Sequence, residues 1–220
     1  MISIYDDDQK VGELTKKAIA ESGSRLLQIH RFAADDNGHV DKLLEVFDPE
    51  NGEWITDVGC GVGRLAELMK EQRNDLEFIL INKSETQLEM CPTNMRKMVG
   101  IGEDLPLEAD SVDAVLISYV IGHLGVQTFL QECDRVLTEN GKIYVYDIFK
   151  QYEHCQCGLK DLGYTEWTMD EVIAIMLNQG FEFVRSETTA FAPDKIVKMM
   201  PYKNVLKNTI SAAMVFEKCN

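Results

Sequence analysis

The residues best placed for chemistry lie between Asp57 and Gly63, in the run Asp-Val-Gly-Cys-Gly-Val-Gly. Glycines at every second position let a backbone bend sharply and approach a ligand closely. The preceding residues 54–58 are short, apolar and rich in β-branched types, as a buried strand requires. From Arg64 the pattern turns helical, with Leu65, Ala66, Leu68 and Met69 at helix spacing. A strand, a glycine turn and a helix start put bare N–H groups and a positive dipole end beside a gap above the sheet. That gap suits the polar end of a nucleotide-like cofactor. A dinucleotide fingerprint needs a third glycine where Arg64 stands, and no Gly-Lys-Ser or Gly-Lys-Thr follows for a P-loop. A glycine-rich turn that binds nothing is the remaining alternative.

Asp-x-Gly-x-Gly-x-Gly resembles the first motif of class I S-adenosylmethionine-dependent methyltransferases. The chemistry is consistent, because S-adenosylmethionine has no phosphate but carries an ammonium and a sulfonium, which an acidic strand end welcomes. The resemblance implies that Asp57, Gly59, Cys60, Gly61 and Gly63 bind this cofactor. It covers roughly residues 50–150, where four blocks fall in the family's order. In the second block, Ile-Asn-Lys-Ser-Glu-Thr-Gln, the family's usual ribose-binding carboxylate is replaced by Asn82. An amide still bonds a hydroxyl, without charge assistance. This departure is similar to the small-molecule subgroup of type-11-like methyltransferases. It brings in Lys83 beside Asn82, and Gln87 at the start of the next helix as a helper.

The third block is Gly102-Glu-Asp-Leu-Pro-Leu. The family's adenine-binding aspartate falls on Ile101, so Glu103, Asp104 or backbone groups alone must serve the adenine. The fourth block runs from Ser118 to Leu124 and, by the same resemblance, lines the methionine end of the cofactor and faces the methyl acceptor. Ser118 belongs to the cofactor side. His123 is a candidate base, since histidine titrates near neutral pH, or else packs structurally. Tyr119 either orients the acceptor or belongs to the core. The segment 129–141 is similar to a structural block of the family, with Asn140 standing where the first of two glycines is usual.

The elements that must position these residues alternate. Helices are expected at 8–21 and 39–47, strands at 54–58 and 77–82, and a helix from a Ser84–Gln87 capping box to about Cys91. A weak strand follows at 96–100, then a strong one at 112–118, a helix at 126–137 and a strand at 142–149. A helix capped at Thr168 and two late strands, 181–191 and 210–218, complete the chain, with a helical insertion at 194–207. Between the first two helices, residues 25–34 carry the apolar residues Leu26, Leu27, Ile29 and Phe32 ahead of the turn Asp35-Asp36-Asn37-Gly38. The alternation predicts an α/β fold with a doubly wound, mainly parallel sheet. By resemblance it is Rossmann-like, with about seven strands, and the last runs antiparallel between the fifth and sixth. Residues 1–50 then form an N-terminal helical lid or cap, and 51–220 the methyltransferase domain.

Composition bounds the partners. The 220 residues are 45% hydrophobic and carry a net charge of −15. That charge disfavours nucleic acid and anionic membranes, since both are bound through Lys and Arg. No Asn- or Asp-Pro-Pro-Tyr motif for base methylation occurs, and no apolar stretch approaches a membrane span. The start of the chain has no signal-peptide pattern, and the six cysteines show no C-x-x-C spacing. A cytoplasmic protein with reduced thiols is expected, with no metal site. His154-Cys155-Gln156-Cys157 spaces its sulfurs poorly for chelation and suits a wall of the acceptor pocket. Tyr152, Tyr164, Trp167, Phe191 and Tyr202, with Met199 and Met200, either line a pocket for a ring-bearing small molecule or fill a core. A small-molecule acceptor leads, ahead of a basic protein or peptide and of a non-catalytic cofactor-binding module. The sequence carries no signal of oligomeric state.

Overall fold

A computed structural model describes residues 7–22, 37–155, 160, 163–189 and 209–219. The expected helical insertion at 194–207, the apolar stretch 25–34, and Cys157, Phe191 and Tyr202 lie outside these. Two helices, α1 (Asp8–Ser22) and α2 (Asn37–Phe47), lead into β1 (Trp54–Val58) and α3 (Arg64–Gln72). β2 (Glu77–Asn82), α4 (Glu85–Glu89), β3 (Arg96–Val99) and β4 (Val112–Ser118) follow. A 3-10 turn (Ile121–His123), α5 (Val126–Val136) and β5 (Leu137–Lys150) come next. The chain ends with α6 (Met169–Asn178), β6 (Phe181–Thr189) and β7 (Thr209–Lys218).

The seven strands form one sheet in the order β3-β2-β1-β4-β5-β7-β6. β1 pairs in parallel with β2 and β4, and β7 runs antiparallel between β5 and β6. This is the doubly wound α/β architecture that the alternation of elements predicts, Rossmann-like and with the antiparallel last strand that the family resemblance implies. β1, β2 and β4 are near-continuous apolar runs because the sheet buries them on both faces. The strand order reverses direction between β1 and β4. In open α/β sheets the crevice at the carboxyl ends of two such strands is where ligands sit.

The first two helices are used differently. α2 belongs to the core: Val40, Leu43 and Phe47 are fully buried, and Phe47 stacks on Tyr144 of β5 at 4.9 Å. α1 instead leans on α4, with Gly12 so close to Thr86 that an added Cβ would collide with its methyl group. β5 starts earlier than expected, because Leu137 already pairs with Val112 before the register shifts to Ala114–Lys142. The residues between bulge out, and Asn140 takes a left-handed φ of 62° there. Asparagine tolerates that region better than most side chains, which explains how it stands in a glycine's place.

Candidate active site

The turn after β1 is held from behind. Gly59 and Cys60 N–H groups donate to the Ile81 carbonyl of β2 at 2.8 and 3.2 Å. Gly59, Gly61 and Gly63 all take positive φ, between 56° and 73°, where a side chain is strained. A Cβ on Gly59 would strike Val120, and one on Gly63 would strike Leu80. One on Gly61 would meet nothing within 4 Å. Gly61 therefore borders open space in front of α3, whose cap at Gly63 supplies no side-chain acceptor.

Asp57, one residue before the end of β1, lies against this turn and is 2% exposed. Among the described residues no donor bonds its carboxylate, and burial alone pushes its pKa up to about 7. Ser118, at the end of β4 across the switch point, is also buried, and its Oγ has no hydrogen-bond partner. Two unsatisfied buried polar groups facing one crevice are costly unless a ligand uses them. A carboxylate left without a cation suits a positively charged ligand and would repel a pyrophosphate. Cys60 sits between Asp57 and the Cys91 thiol. Burial first, then these two neighbours, hold its own thiol well above the usual range, so it stays neutral.

Asn82 and Gln87 come together at the end of β2. Asn82 Nδ2 donates to Gln87 Oε1 at 2.8 Å and reaches the Gly61 carbonyl at 3.4 Å. Ser84 accepts from the Gln87 N–H and caps α4, but the Gln87 side chain does not return to close a capping box. It is drawn instead toward Asn82 and α1, and α4 is correspondingly short. Lys83 is exposed beside them.

Glu103 is half-buried, and its Oε1 accepts the Gly125 N–H at the start of α5 at 2.5 Å. Asp104 is exposed and bridges back to Ile101, which is itself 43% exposed. Arg135 is structural: it pairs with Glu132 at 2.6 Å and donates to the Leu105 and Leu107 carbonyls.

The far side of the crevice is organised by a residue that the motif blocks do not mark. Asp147 of β5 is fully buried, and its carboxylate accepts the Val120, Ile121 and Ile148 N–H groups and the Tyr164 hydroxyl. Burial pushes it up to about 6, with those four bonds pulling the other way. It thereby fixes the turn that presents His123. Gly122 is needed there because the Tyr164 ring occupies the place of a Cβ. The signal was an aspartate inside the apolar strand Ile-Tyr-Val-Tyr-Asp-Ile-Phe.

His123 is exposed on one side and packs edge-on against Tyr164 at 4.9 Å. Partial desolvation lowers its pKa, opposed by a bond with the Gly163 backbone, so the ring is mainly neutral near pH 7. Tyr119 is buried at φ 57°, and its hydroxyl meets that of Tyr146 at 2.8 Å. Burial holds its pKa well above the usual range, so it cannot serve as a base. His154 stacks on Tyr152, and no group of three or more His, Cys, Asp or Glu able to hold a metal occurs among the described residues. Trp167 Nε1, near the end of β5, is buried without a hydrogen-bond partner. A separate cavity of about 550 Å³, lined in part by Trp54, Arg96 and Ser111, opens at the opposite ends of the strands. No helix of the described residues is long and apolar enough to cross a membrane.

Comparison with known proteins agrees with this geometry. Residues 56–145 match the family described as "Methyltransferase domain". The demethylmenaquinone methyltransferase of Thermotoga maritima is 26% identical over 193 residues, spanning 83% of this chain and 82% of that protein. Among solved structures, the [4+2]-cyclase SpnF superposes with a TM-score of 0.80 at 15% identity, over 96% of each chain. Geranyl diphosphate methyltransferase in complex with S-adenosylmethionine gives 0.66 at 14% identity, over 83% of this chain and 85% of that one. The two structural likenesses are of fold; the domain match and the Thermotoga relative speak to activity. With a glycine turn, an unpaired carboxylate and an unpartnered serine converging at the switch point, residues 56–145 form a methyltransferase domain, and the protein is an S-adenosylmethionine-dependent methyltransferase.

Proposed function

We propose that this methyltransferase acts on a small, largely apolar acceptor by in-line methyl transfer, in the cytoplasm. The observation that carries the cofactor end is the buried, unpaired Asp57 carboxylate beside the open face of Gly61. The cofactor supplies a methyl group already activated on a sulfonium. What remains for the chain is alignment, exclusion of water and removal of a proton from the acceptor. Asp57, with Cys60 and Gly63 framing Gly61, faces the cationic end, and Ser118 offers its hydroxyl to the same end. Asn82, flanked by Lys83 and supported by Gln87, takes the ribose. At the adenine, Glu103 has one oxygen beyond its bond to Gly125, Asp104 stands beside it, and Ile101 offers an apolar contact.

On the acceptor side, His123 is the base. Its lowered pKa leaves an unprotonated ring nitrogen near neutral pH, and Asp147 and Tyr164 fix the turn that carries it. Tyr119 positions the acceptor through its pairing with Tyr146 rather than exchanging a proton. α1 is the lid over the cofactor side, while α2 is bound into the core. A small acceptor is supported by the Thermotoga relative, whose name specifies a demethylmenaquinone, and by a structural neighbour that acts on geranyl diphosphate. Five described cysteines are free, which fits a reducing compartment.

The test is methyl transfer from labelled S-adenosylmethionine to two panels: quinols, phenols and prenyl compounds in one, basic peptides in the other. Turnover in the first panel is expected. Turnover confined to the peptides, to which the net charge of −15 is complementary, would replace this acceptor class. Cofactor binding without turnover on either panel would favour a non-catalytic module.

A further inference from the structure

We propose that Thr15 of the first helix is a positioning residue for the cofactor, setting through Gln87 the orientation in which the Asn82 amide meets a ribose hydroxyl. The proposal rests on the reading that Asn82 holds the ribose. Three buried side chains form the connection: Thr15 is 1% exposed, Gln87 4% and Asn82 9%. Thr15 Oγ1 donates to the Val11 carbonyl one turn back, at 2.8 Å. Its only proton is then committed, so its oxygen can only accept.

Gln87 must accordingly present its NH₂ to Thr15, and Nε2 donates there at 2.9 Å. That turns Gln87 Oε1 toward Asn82, which must answer with its own NH₂, at 2.8 Å. The second Asn82 N–H points to the Gly61 carbonyl at 3.4 Å. Reversing the Asn82 amide would set oxygen against two oxygens. Oδ1 is therefore left facing the crevice as an acceptor, and no donor among the described residues uses it. The commitment of one hydroxyl proton in α1 thus reaches the cofactor across three side chains.

α1 is docked for this task by more than Thr15. The Ser84 and Thr86 hydroxyls both donate to Asp8, the latter at 2.7 Å, and Gly12 lets the helix approach Thr86 without a Cβ in the way. The arrangement also accounts for asparagine where the family has a carboxylate. A carboxylate could not donate to the Gly61 carbonyl, whereas the amide binds backward and accepts forward. Seating α1 and recognising the ribose are thereby one event.

The experiment measures Kd for S-adenosylhomocysteine and for its 2′-deoxy and 3′-deoxy analogues by calorimetry, with the melting temperature followed in parallel. Thr15→Val is expected to weaken S-adenosylhomocysteine about three- to tenfold. Thr15→Ser restores wild-type affinity. The Thr15→Val loss disappears for at least one deoxy analogue and in an Asn82→Ala background. Gln87→Met, which keeps the sequence of α1 and removes only the bonds of the Gln87 amide, reproduces the loss should Thr15→Val fold poorly. If Asn82→Ala weakens binding but Thr15→Val and Gln87→Met do not, the relay is wrong and the ribose reading stands. If Asn82→Ala leaves affinity unchanged, the ribose reading itself is wrong. An equal loss for all three ligands would make Thr15 a packing residue and overturn the proposal.

Discussion

Two buried carboxylates, Asp57 and Asp147, stand on opposite sides of the same crevice, and their surroundings are opposite in kind. Asp147 accepts three backbone N–H groups and a tyrosine hydroxyl, while Asp57 accepts nothing among the described residues. Both are raised by burial, Asp57 to about 7 and Asp147 only to about 6, because four donors offset part of the cost. The first is a buried carboxyl with no hydrogen-bond donor among the described residues, and the second is used to build a turn. The cofactor side is a glycine turn beside an unbonded carboxyl, and the acceptor side a loop presented by a satisfied anchor.

Substitutions should separate the two. The largest effect is expected at the end of the Asp147-anchored turn. His123→Ala should lower kcat by roughly 10²–10⁴ if the ring is the base. Kd for the cofactor should stay within about twofold, and a small change in kcat would reassign His123 to packing. Next comes the anchor itself. Asp147→Asn leaves buried donors unpaired and should cost about 2–4 kcal/mol. The melting temperature should then fall by roughly 5–15 °C in thermal unfolding. Asp57→Asn should do the reverse, weakening S-adenosylmethionine about 10- to 100-fold while leaving the melting temperature unchanged or higher, since it removes a buried, unpaired charge. Equal destabilisation by both substitutions would erase the distinction.

The smallest expected effect is a pH dependence. The folded-state pKa of Asp57, about 7, lies above its ordinary value of 3.8. Its share of stability is therefore full below pH about 4 and is lost as the pH rises through 7. A bound cation favours the ionised form. Affinity for S-adenosylmethionine should rise with pH between about 5.5 and 7, approaching tenfold per unit, and level off above. The Asp57→Asn substitution should flatten this profile. A wild-type profile that is flat or falling over that window would mean that Asp57 does not face the charge.

Much of the fold was legible in the chain. The apolar runs at Trp54–Val58 and Val112–Ser118 read as strands, the alternation with helices made the sheet mainly parallel, and the Thr168–Glu171 capping box opens α6 as its residue types require. The glycine turn was legible because its conformation depends on residues adjacent in sequence. What escaped depends on distant pairs. Asp147 reaches residues 26 and 27 positions before it, and Gln87 reaches back 72 positions to Thr15. Ser84–Gln87 looked like a complete capping box because both types suit one. The tertiary bonds to Asn82 and Thr15 outcompeted the local one.

The central claim, that the Gly61 turn receives a positively charged methyl donor, is tested most directly by calorimetric titration of wild type and Gly61→Val with S-adenosylmethionine and with NAD. The account predicts micromolar binding of S-adenosylmethionine by the wild type, none by Gly61→Val at a melting temperature that shows it folded, and no binding of NAD by either. Undiminished binding by Gly61→Val, or a wild type that takes NAD in place of S-adenosylmethionine, would contradict it.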